Sequence, residues 1–131
     1  QVVRWFGMGD LRDPEDAPPA SEDYKAIEER VPYLALEILG ELLDELNWQP
    51  DDVDYVLPPQ LSGRMTDRIT EFLRLPAAHA VSCVRETGNV GNATPFFQLE
   101  QALPRMTRGD RAVCVSVESS KWIKAGFGVE K

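Results

Sequence analysis

Strand-like and helix-like segments alternate along this 131-residue chain, and this alternation constrains its fold more than any other feature. Short β-prone runs are predicted at 2–6, 53–57, 80–84, 111–117 and 123–129, and segments with helical periodicity at 32–47, 62–73 and 92–103. Strands that alternate with amphipathic helices form a sheet with helices packed on its faces. We therefore expect an α/β fold.

The clearest helical pattern lies in the first half of the chain. Its apolar side chains recur at steps of three and four residues, at Val31, Leu34, Ile38, Leu42 and Leu46, as on one face of a helix. Proline is tolerated in the first turn of a helix, because the amide hydrogen it lacks has no partner there. We therefore expect the helix to run from Pro32 to Asn47, with residues 24–30 as a separate helical turn.

The segment before this helix has no apolar period. Residues 10–23 contain three prolines and many acidic side chains, a composition typical of a loop. We expect residues 1–23 to form an initial strand and an acidic, proline-rich loop, and residues 24–131 to form one α/β domain. Because the sequence opens at Gln1 instead of methionine, we also expect a fragment or a processed chain.

Charge and composition exclude several classes of function. The formal net charge of −8 argues against nucleic acid as the main partner, since phosphate binding needs a basic surface. No apolar run approaches the roughly 20 residues that span a bilayer, and no signal peptide is recognisable, so we expect a cytoplasmic protein. Cys83 and Cys114 stand in apolar runs and are expected to be buried free thiols, while His79 is expected at the surface.

Two short motifs carry the functional information. The first reads Leu57-Pro58-Pro59-Gln60-Leu61-Ser62-Gly63-Arg64, and the second reads Thr87-Gly88-Asn89. Together they resemble paired catalytic motifs of the thiolase superfamily, and residues 24–129 are similar to the C-terminal half of a β-ketoacyl-acyl-carrier-protein synthase III. The first motif of that family is valine-proline-histidine-glutamine followed by alanine, asparagine, leucine and arginine. Pro59 stands in place of the histidine and Ser62 in place of the asparagine.

Further matches follow in the family's order. The glycine-asparagine pair is present at Gly88-Asn89, a Gly-Asp pair precedes the last long strand at Gly109-Asp110, and Trp122 matches a tryptophan near the C-terminus. The resemblance implies the C-terminal half of a thiolase-like fold, an α/β structure with a mixed β-sheet and helices on both faces.

The resemblance also implies a chemistry. In the family, a cysteine of the N-terminal half takes an acyl group, and the histidine and asparagine then assist malonyl decarboxylation and stabilise the enolate oxygen. Asn89 is the implied catalytic residue, whereas Pro59 occupies the histidine position and has no side-chain group that moves a proton. At the position of the family's glycine-rich oxyanion loop stand Glu118, Ser119 and Ser120. Ordinary decarboxylative condensation is therefore not expected.

The family's arginine in the first motif helps to dock an acidic carrier protein. Arg64 keeps it, Arg68 lies one turn further along the same helix face, and Gln60 and Ser62 complete the candidate residues for substrate or carrier-protein binding. The alternative for the two arginines is an ordinary solvated helix face. No metal or resident cofactor is expected, because a coenzyme A or phosphopantetheine thioester would be the substrate.

Two main functions remain open. The first is the C-terminal part of a ketosynthase III-like acyltransferase of fatty acid or polyketide biosynthesis, acting on acyl-carrier-protein or coenzyme A thioesters, whose nucleophilic cysteine lies outside this chain. The second is a non-catalytic partner that stabilises or shapes a catalytic subunit. Both imply an N-terminal thiolase-like half, on the same longer protein or on a separate chain, and a dimer of the complete fold. An unrelated α/β binding domain is a third alternative.

Overall fold

The computed structural model describes residues 2–4, 24–119 and 122–131. The strands are β1 (Val2–Arg4), β2 (Tyr55–Leu57), β3 (His79–Ala80), β4 (Arg111–Glu118) and β5 (Ile123–Glu130). The helices are α1 (Tyr24–Leu46), α2 (Gly63–Leu73), α3 (Val84–Thr87) and α4 (Thr94–Ala102), with short 3₁₀ turns at Pro50–Asp52 and Gly91–Ala93. The loop predicted at 10–23 lies outside the described residues.

The strands form one sheet in the order β1-β5-β4-β2-β3. Strand β2 is parallel to both β3 and β4, whereas β5 is antiparallel to β4 and to β1. This confirms the predicted mixed sheet. In the parallel pair Leu57 lies opposite Cys114, and in the antiparallel hairpin Glu118 lies opposite Ile123.

Helices cover both faces of the sheet, as predicted. Helices α1 and α2 pack on one face over the larger core, to which β4 contributes Val113 and Val115. Helix α4 lies over the smaller core on the opposite face, to which β4 contributes Ala112 and Cys114. This division follows from the alternation of side chains along a strand.

Helix α1 is longer than its sequence predicts. It is one continuous helix from Tyr24 to Leu46 with Pro32 in its interior, so the prediction of a separate turn at 24–30 is wrong. The turn before the proline carries Ile27 and Val31, which are buried in the same core as the rest of the helix. Burial of this apolar surface offsets the hydrogen bond that the proline removes.

The strand predicted at 80–84 is much shorter in the structure. Strand β3 covers only His79 and Ala80, and the chain then turns into helix α3 at Val84. The amide oxygen Oε1 of Gln60 accepts hydrogen bonds from the backbone N–H groups of Cys83 and Val84, both at 2.9 Å. These two groups are therefore withdrawn from any sheet ladder. His79 is exposed, as predicted.

Strand β5 keeps its full length despite its two glycines. A Cβ at Gly126 would stand 2.9 Å from the backbone oxygen of Cys114 and 3.1 Å from Leu42 of α1. A Cβ at Gly128 would collide with Leu46 and approach Trp48 to 3.1 Å. The glycines thus allow α1 and the segment after it to lie directly against the strand.

Candidate functional site

A cleft of about 190 Å³ opens at the carboxyl ends of the parallel strands β2 and β4. Ligands of open α/β sheets bind characteristically at such an edge. The cleft is lined by residues from the β2–α2 loop, the segment before α4, the first turn of α4 and the end of β4: Pro59, Gln60, Leu61, Asn89, Gly91, Asn92, Thr94, Pro95, Ser116, Val117, Glu118 and Ser119. The cleft therefore brings both motifs of the sequence together.

Pro59 forms one wall of the cleft immediately after β2. Pro59 is buried, and its carbonyl oxygen accepts a hydrogen bond of 3.0 Å from the Thr66 hydroxyl of α2. The pyrrolidine ring offers no donor and no acceptor. The position where the resemblance implies a histidine is thus held rigidly but presents only hydrocarbon.

Asn89 also lines the cleft, in the turn that follows α3. Its Oδ1 accepts a 3.0 Å hydrogen bond from the backbone N–H of Gly91. Because Gly88 and Gly91 have φ values of 70° and 59°, the turn uses a left-handed backbone that glycine adopts without strain. The bond to Gly91 identifies the acceptor end of the side chain. Donation from the Nδ2 amide to a substrate oxygen stays a prediction.

Gln60 is buried, and hydrogen bonds within the fold engage its side chain. Its Oε1 accepts from the Ser82 hydroxyl as well as from Cys83 and Val84, and its Nε2 donates to the Pro58 carbonyl at 3.0 Å. The structure thus gives this amide a clear role in holding the loop between β3 and α3. A role in substrate binding stays a prediction.

The remaining residues of the first motif belong to the start of α2. Ser62 caps this helix, its hydroxyl accepting a 3.3 Å bond from the Met65 backbone N–H. The Arg64 side chain is 93% exposed, its guanidinium 3.9 Å from a carboxylate oxygen of Glu28, and Arg68 is also exposed. Neither arginine lines the cleft. Both arginines are exposed on α2, and carrier-protein docking remains a prediction.

The end of β4 forms the third wall of the cleft. Glu118 and Ser119 line it, whereas Ser120 lies outside the described residues. Sequence reasoning missed Thr94, the first residue of α4, which also lines the cleft. Thr94 is only 6% exposed, and its hydroxyl has no hydrogen-bond partner within the described residues. The feature of the sequence that could have indicated Thr94 is its position just before Pro95, at the start of the predicted helix.

Both thiols are buried and neither lines the cleft. Cys83 is 0% and Cys114 2% exposed, which confirms the prediction of buried free cysteines. Desolvation raises the pKa of the Cys114 thiol from 9.0 to about 12. A thiol is a weak nucleophile in its protonated state. Over the residues that the structure describes, neither cysteine is thus placed to attack a ligand in the cleft.

The described part of the chain contains neither a cluster of metal ligands nor a membrane-spanning helix. No three histidine, cysteine or carboxylate side chains converge there as metal ligands would. None of its helices combines the length and the apolar character that crossing a bilayer requires.

Several solved structures resemble this chain. The tetronic acid condensing enzyme AbyA1 is 54% identical with a TM-score of 0.87, over 99% of this chain and 46% of that protein. The 3-oxoacyl-(acyl carrier protein) synthase III of Pseudomonas aeruginosa is 20% identical with a TM-score of 0.72, over 99% of this chain and 45% of that one. The second likeness supports the thiolase-like fold alone.

Sequence comparison agrees with the structural likeness. A β-ketoacyl-[acyl-carrier-protein] synthase III of Streptomyces coelicolor is 33% identical over 90 residues, which are 64% of this chain and 27% of that protein. The corresponding protein of Sphingopyxis alaskensis is 33% identical over 78 residues, or 58% and 24%. The chain thus spans about a quarter of these relatives. The model of the 3-oxoacyl-[acyl-carrier-protein] synthase III C-terminal domain matches residues 43–119. The chain therefore belongs to the 3-oxoacyl-[acyl-carrier-protein] synthase III family, of which it represents the C-terminal part.

Proposed function

We propose that this chain is the C-terminal part of an acyl-transfer enzyme that acts on acyl-carrier-protein or coenzyme A thioesters without decarboxylating them. The observation that carries the proposal is the composition of the cleft, which both Pro59 and Asn89 line. The asparagine amide can donate a hydrogen bond to a substrate oxygen. The proline cannot assist loss of CO₂ from a malonyl group, because it has no side-chain donor or base.

The nucleophile of this enzyme comes from an N-terminal thiolase-like half, on the same polypeptide or on a separate chain. Two observations support this part of the proposal. Cys83 and Cys114 are both buried away from the cleft. Helix α4 and the residue that follows it leave apolar side chains exposed, Phe96 by 72%, Phe97 by 40% and Leu103 by 40%. A second half packed on α4 would bury that surface and could bring its cysteine to the cleft.

The similarity to the tetronic acid condensing enzyme refines the reaction class. A tetronic acid is a five-membered lactone, so its assembly needs one new C–O ester bond and one new C–C bond. Both bonds can form by acyl transfer from thioesters to acceptors that lose a proton instead of CO₂. A cleft with Asn89 but without the family's histidine suits such a reaction. Arg64 and Arg68 would then receive the acidic carrier protein that delivers a substrate.

The proposal is tested with the assembled protein, this chain together with its N-terminal half. We expect incubation with acyl-coenzyme A to add one acyl mass to a cysteine of the N-terminal half, as read by intact mass spectrometry. We also expect no ¹⁴CO₂ from carboxyl-labelled malonyl thioester. Release of CO₂ at the rate of acyl transfer would contradict the proposal. Deletion of the N-terminal half is the matched control and should abolish turnover.

The second candidate is a non-catalytic partner subunit. It is favoured by Glu118 and Ser119, which stand where the resemblance implies flexible glycines and so restrict the backbone of the oxyanion loop. This function predicts that the assembled protein acquires no acyl adduct. It also predicts that Asn89→Ala leaves the activity of the assembled complex unchanged, whereas the enzymatic function predicts a loss.

A further inference from the structure

Glu118 differs in chemistry from all the other residues that line the cleft. Within the described part of the chain, the rest of the lining consists of prolines, glycine, aliphatic side chains, hydroxyls and amides. Glu118 therefore supplies the one ionisable side chain among the described residues of this cleft. A carboxylate is a competent general base, a role that neither Pro59 nor the amide of Asn89 can take.

The strand geometry explains why Glu118 faces the cleft. Side chains four residues apart on a strand point to the same face. Cys114 packs in the core under α4, so Glu118 points to the α4 face at the end of the strand. Val117 packs against the opposite core, under α1. Because β2 runs parallel to β4 with Leu57 opposite Cys114, the continued register brings Pro59 level with Ser116, two residues before Glu118. Pro59 and Glu118 both line the cleft.

We propose that Glu118 is the general base that takes a proton from the acyl acceptor. This inference rests on the proposed function. The acceptor is a neutral hydroxyl or a CH₂ group between two carbonyls. Its O–H or C–H bond breaks, the proton goes to the Glu118 carboxylate, and the electron pair forms the new bond to the carbonyl carbon of the acyl thioester on the N-terminal cysteine. The C–S bond then breaks, and the departing thiolate takes the proton back from Glu118.

Charge supports a neutral acceptor at this site. A malonyl carboxylate beside Glu118 would place two negative charges together in a partly desolvated cleft, which is unfavourable. With a neutral acceptor the total charge stays constant during the step, since the carboxylate loses its charge as the acceptor gains one. The Nδ2 amide of Asn89 can then stabilise the oxygen on which that charge develops.

The experiment separates formation of the acyl-enzyme from transfer to the acceptor. The assembled protein is first acylated with acetyl-coenzyme A, and the acetoacetyl thioester of N-acetylcysteamine is then added as the probe acceptor in a rapid-quench measurement. We expect Glu118→Gln to form the acyl-enzyme within twofold of the wild-type rate and to slow transfer by about 10²–10⁴-fold, the usual contribution of a general base. Glu45→Gln, the same change at an exposed site on α1, should leave both steps unchanged.

A second variant distinguishes catalysis from structure. In Glu118→Ala, added formate should restore at least a tenth of the wild-type transfer rate, because a small carboxylate can occupy the vacated space. The inference is overturned if Glu118→Gln transfers within fivefold of wild type, if both steps decline together, or if formate has no effect. A wild-type protein that is not acylated, or that stays acylated with the probe acceptor present, contradicts the proposed function itself. The two failures are therefore distinguishable.

Discussion

Replacement of Gln60 by leucine should destabilise the fold by about 4 kcal/mol, through two backbone groups far away in the sequence. The Gln60 amide oxygen is the acceptor for the N–H groups of Cys83 and Val84, which are 0% and 7% exposed as residues. Leucine has a similar volume but no acceptor. Each buried donor left without a partner costs about 1–3 kcal/mol, so the two together cost about 2–6 kcal/mol.

Loss of the other hydrogen bonds of Gln60 adds little to this cost in free energy. The Pro58 carbonyl keeps a second donor, the Nε2 amide of Gln98 at 2.9 Å. The Ser82 hydroxyl is only half-buried and can turn to water. A loss of about 4 kcal/mol is a large part of the 5–15 kcal/mol that stabilises a typical domain.

Urea unfolding followed by circular dichroism measures the effect. With an m-value of about 2 kcal/mol per M, the midpoint should fall by about 2 M. Amide hydrogen exchange should show loss of protection at Cys83 and Val84 in particular. Gln101→Leu, the same change on a half-buried part of α4, is the control and should shift stability by less than about 0.5 kcal/mol. A Gln60→Leu variant within about 1 kcal/mol of wild type would refute the reasoning.

Three further predictions concern the buried polar groups. Thr94→Val should raise the free energy of unfolding by about 1 kcal/mol, because the hydroxyl that it removes has no partner among the described residues. Thr70→Val, which removes a 2.7 Å hydrogen bond to the Thr66 carbonyl, is the control and should lower the free energy of unfolding. Equal effects of the two substitutions in urea titrations would contradict this prediction. Lys124→Met should lower the free energy of unfolding by about 3 kcal/mol in the same assay, because the fully buried Lys124 ammonium lies 2.8 Å from Glu37 and 2.9 Å from Glu41 of α1. An unchanged urea midpoint would show that these ion pairs do not stabilise the fold. Because the pKa of Cys114 is raised in the folded state, the folded protein holds the thiol proton more tightly than the unfolded chain does. The stability that this difference contributes is complete below pH 9 and declines by about 1.4 kcal/mol per pH unit up to about pH 12. Cys114→Ala should remove that slope, and a slope that persists would assign it to other groups.

The sequence predicts most of the fold because its main elements carry local signals. The apolar stripe of α1, the serine cap of α2 and the apolar run of β4 can each be recognised within one turn or a few residues. The mixed character of the sheet is predicted only through the family resemblance, and its strand order is not predicted, since strand pairing depends on contacts between distant segments.

The errors arise where distant contacts override local preference. Pro32 locally favours a helix start, but burial of Ile27 and Val31 extends α1 through it. Residues 80–84 are locally β-prone, but the side chain of Gln60 holds Cys83 and Val84 in a helical turn. In the site, the position of Asn89 in the cleft with Pro59 could be predicted from the motifs. The internal role of Gln60 could not, because an amide side chain gives no sequence signal of its partners.

The Pro58 carbonyl has a consequence for how this cleft can change during evolution. It accepts hydrogen bonds from both Gln60 and Gln98, and Gln98 also donates to the Val81 carbonyl at 2.9 Å. Three segments around the cleft, the β2–α2 loop, the end of β3 and helix α4, are thereby joined by side chains, and Pro59 belongs to the first of them. Because the side chain of Pro59 makes none of these bonds, a substitution at this position can change the chemistry of the cleft and leave the hydrogen bonds that join its segments in place.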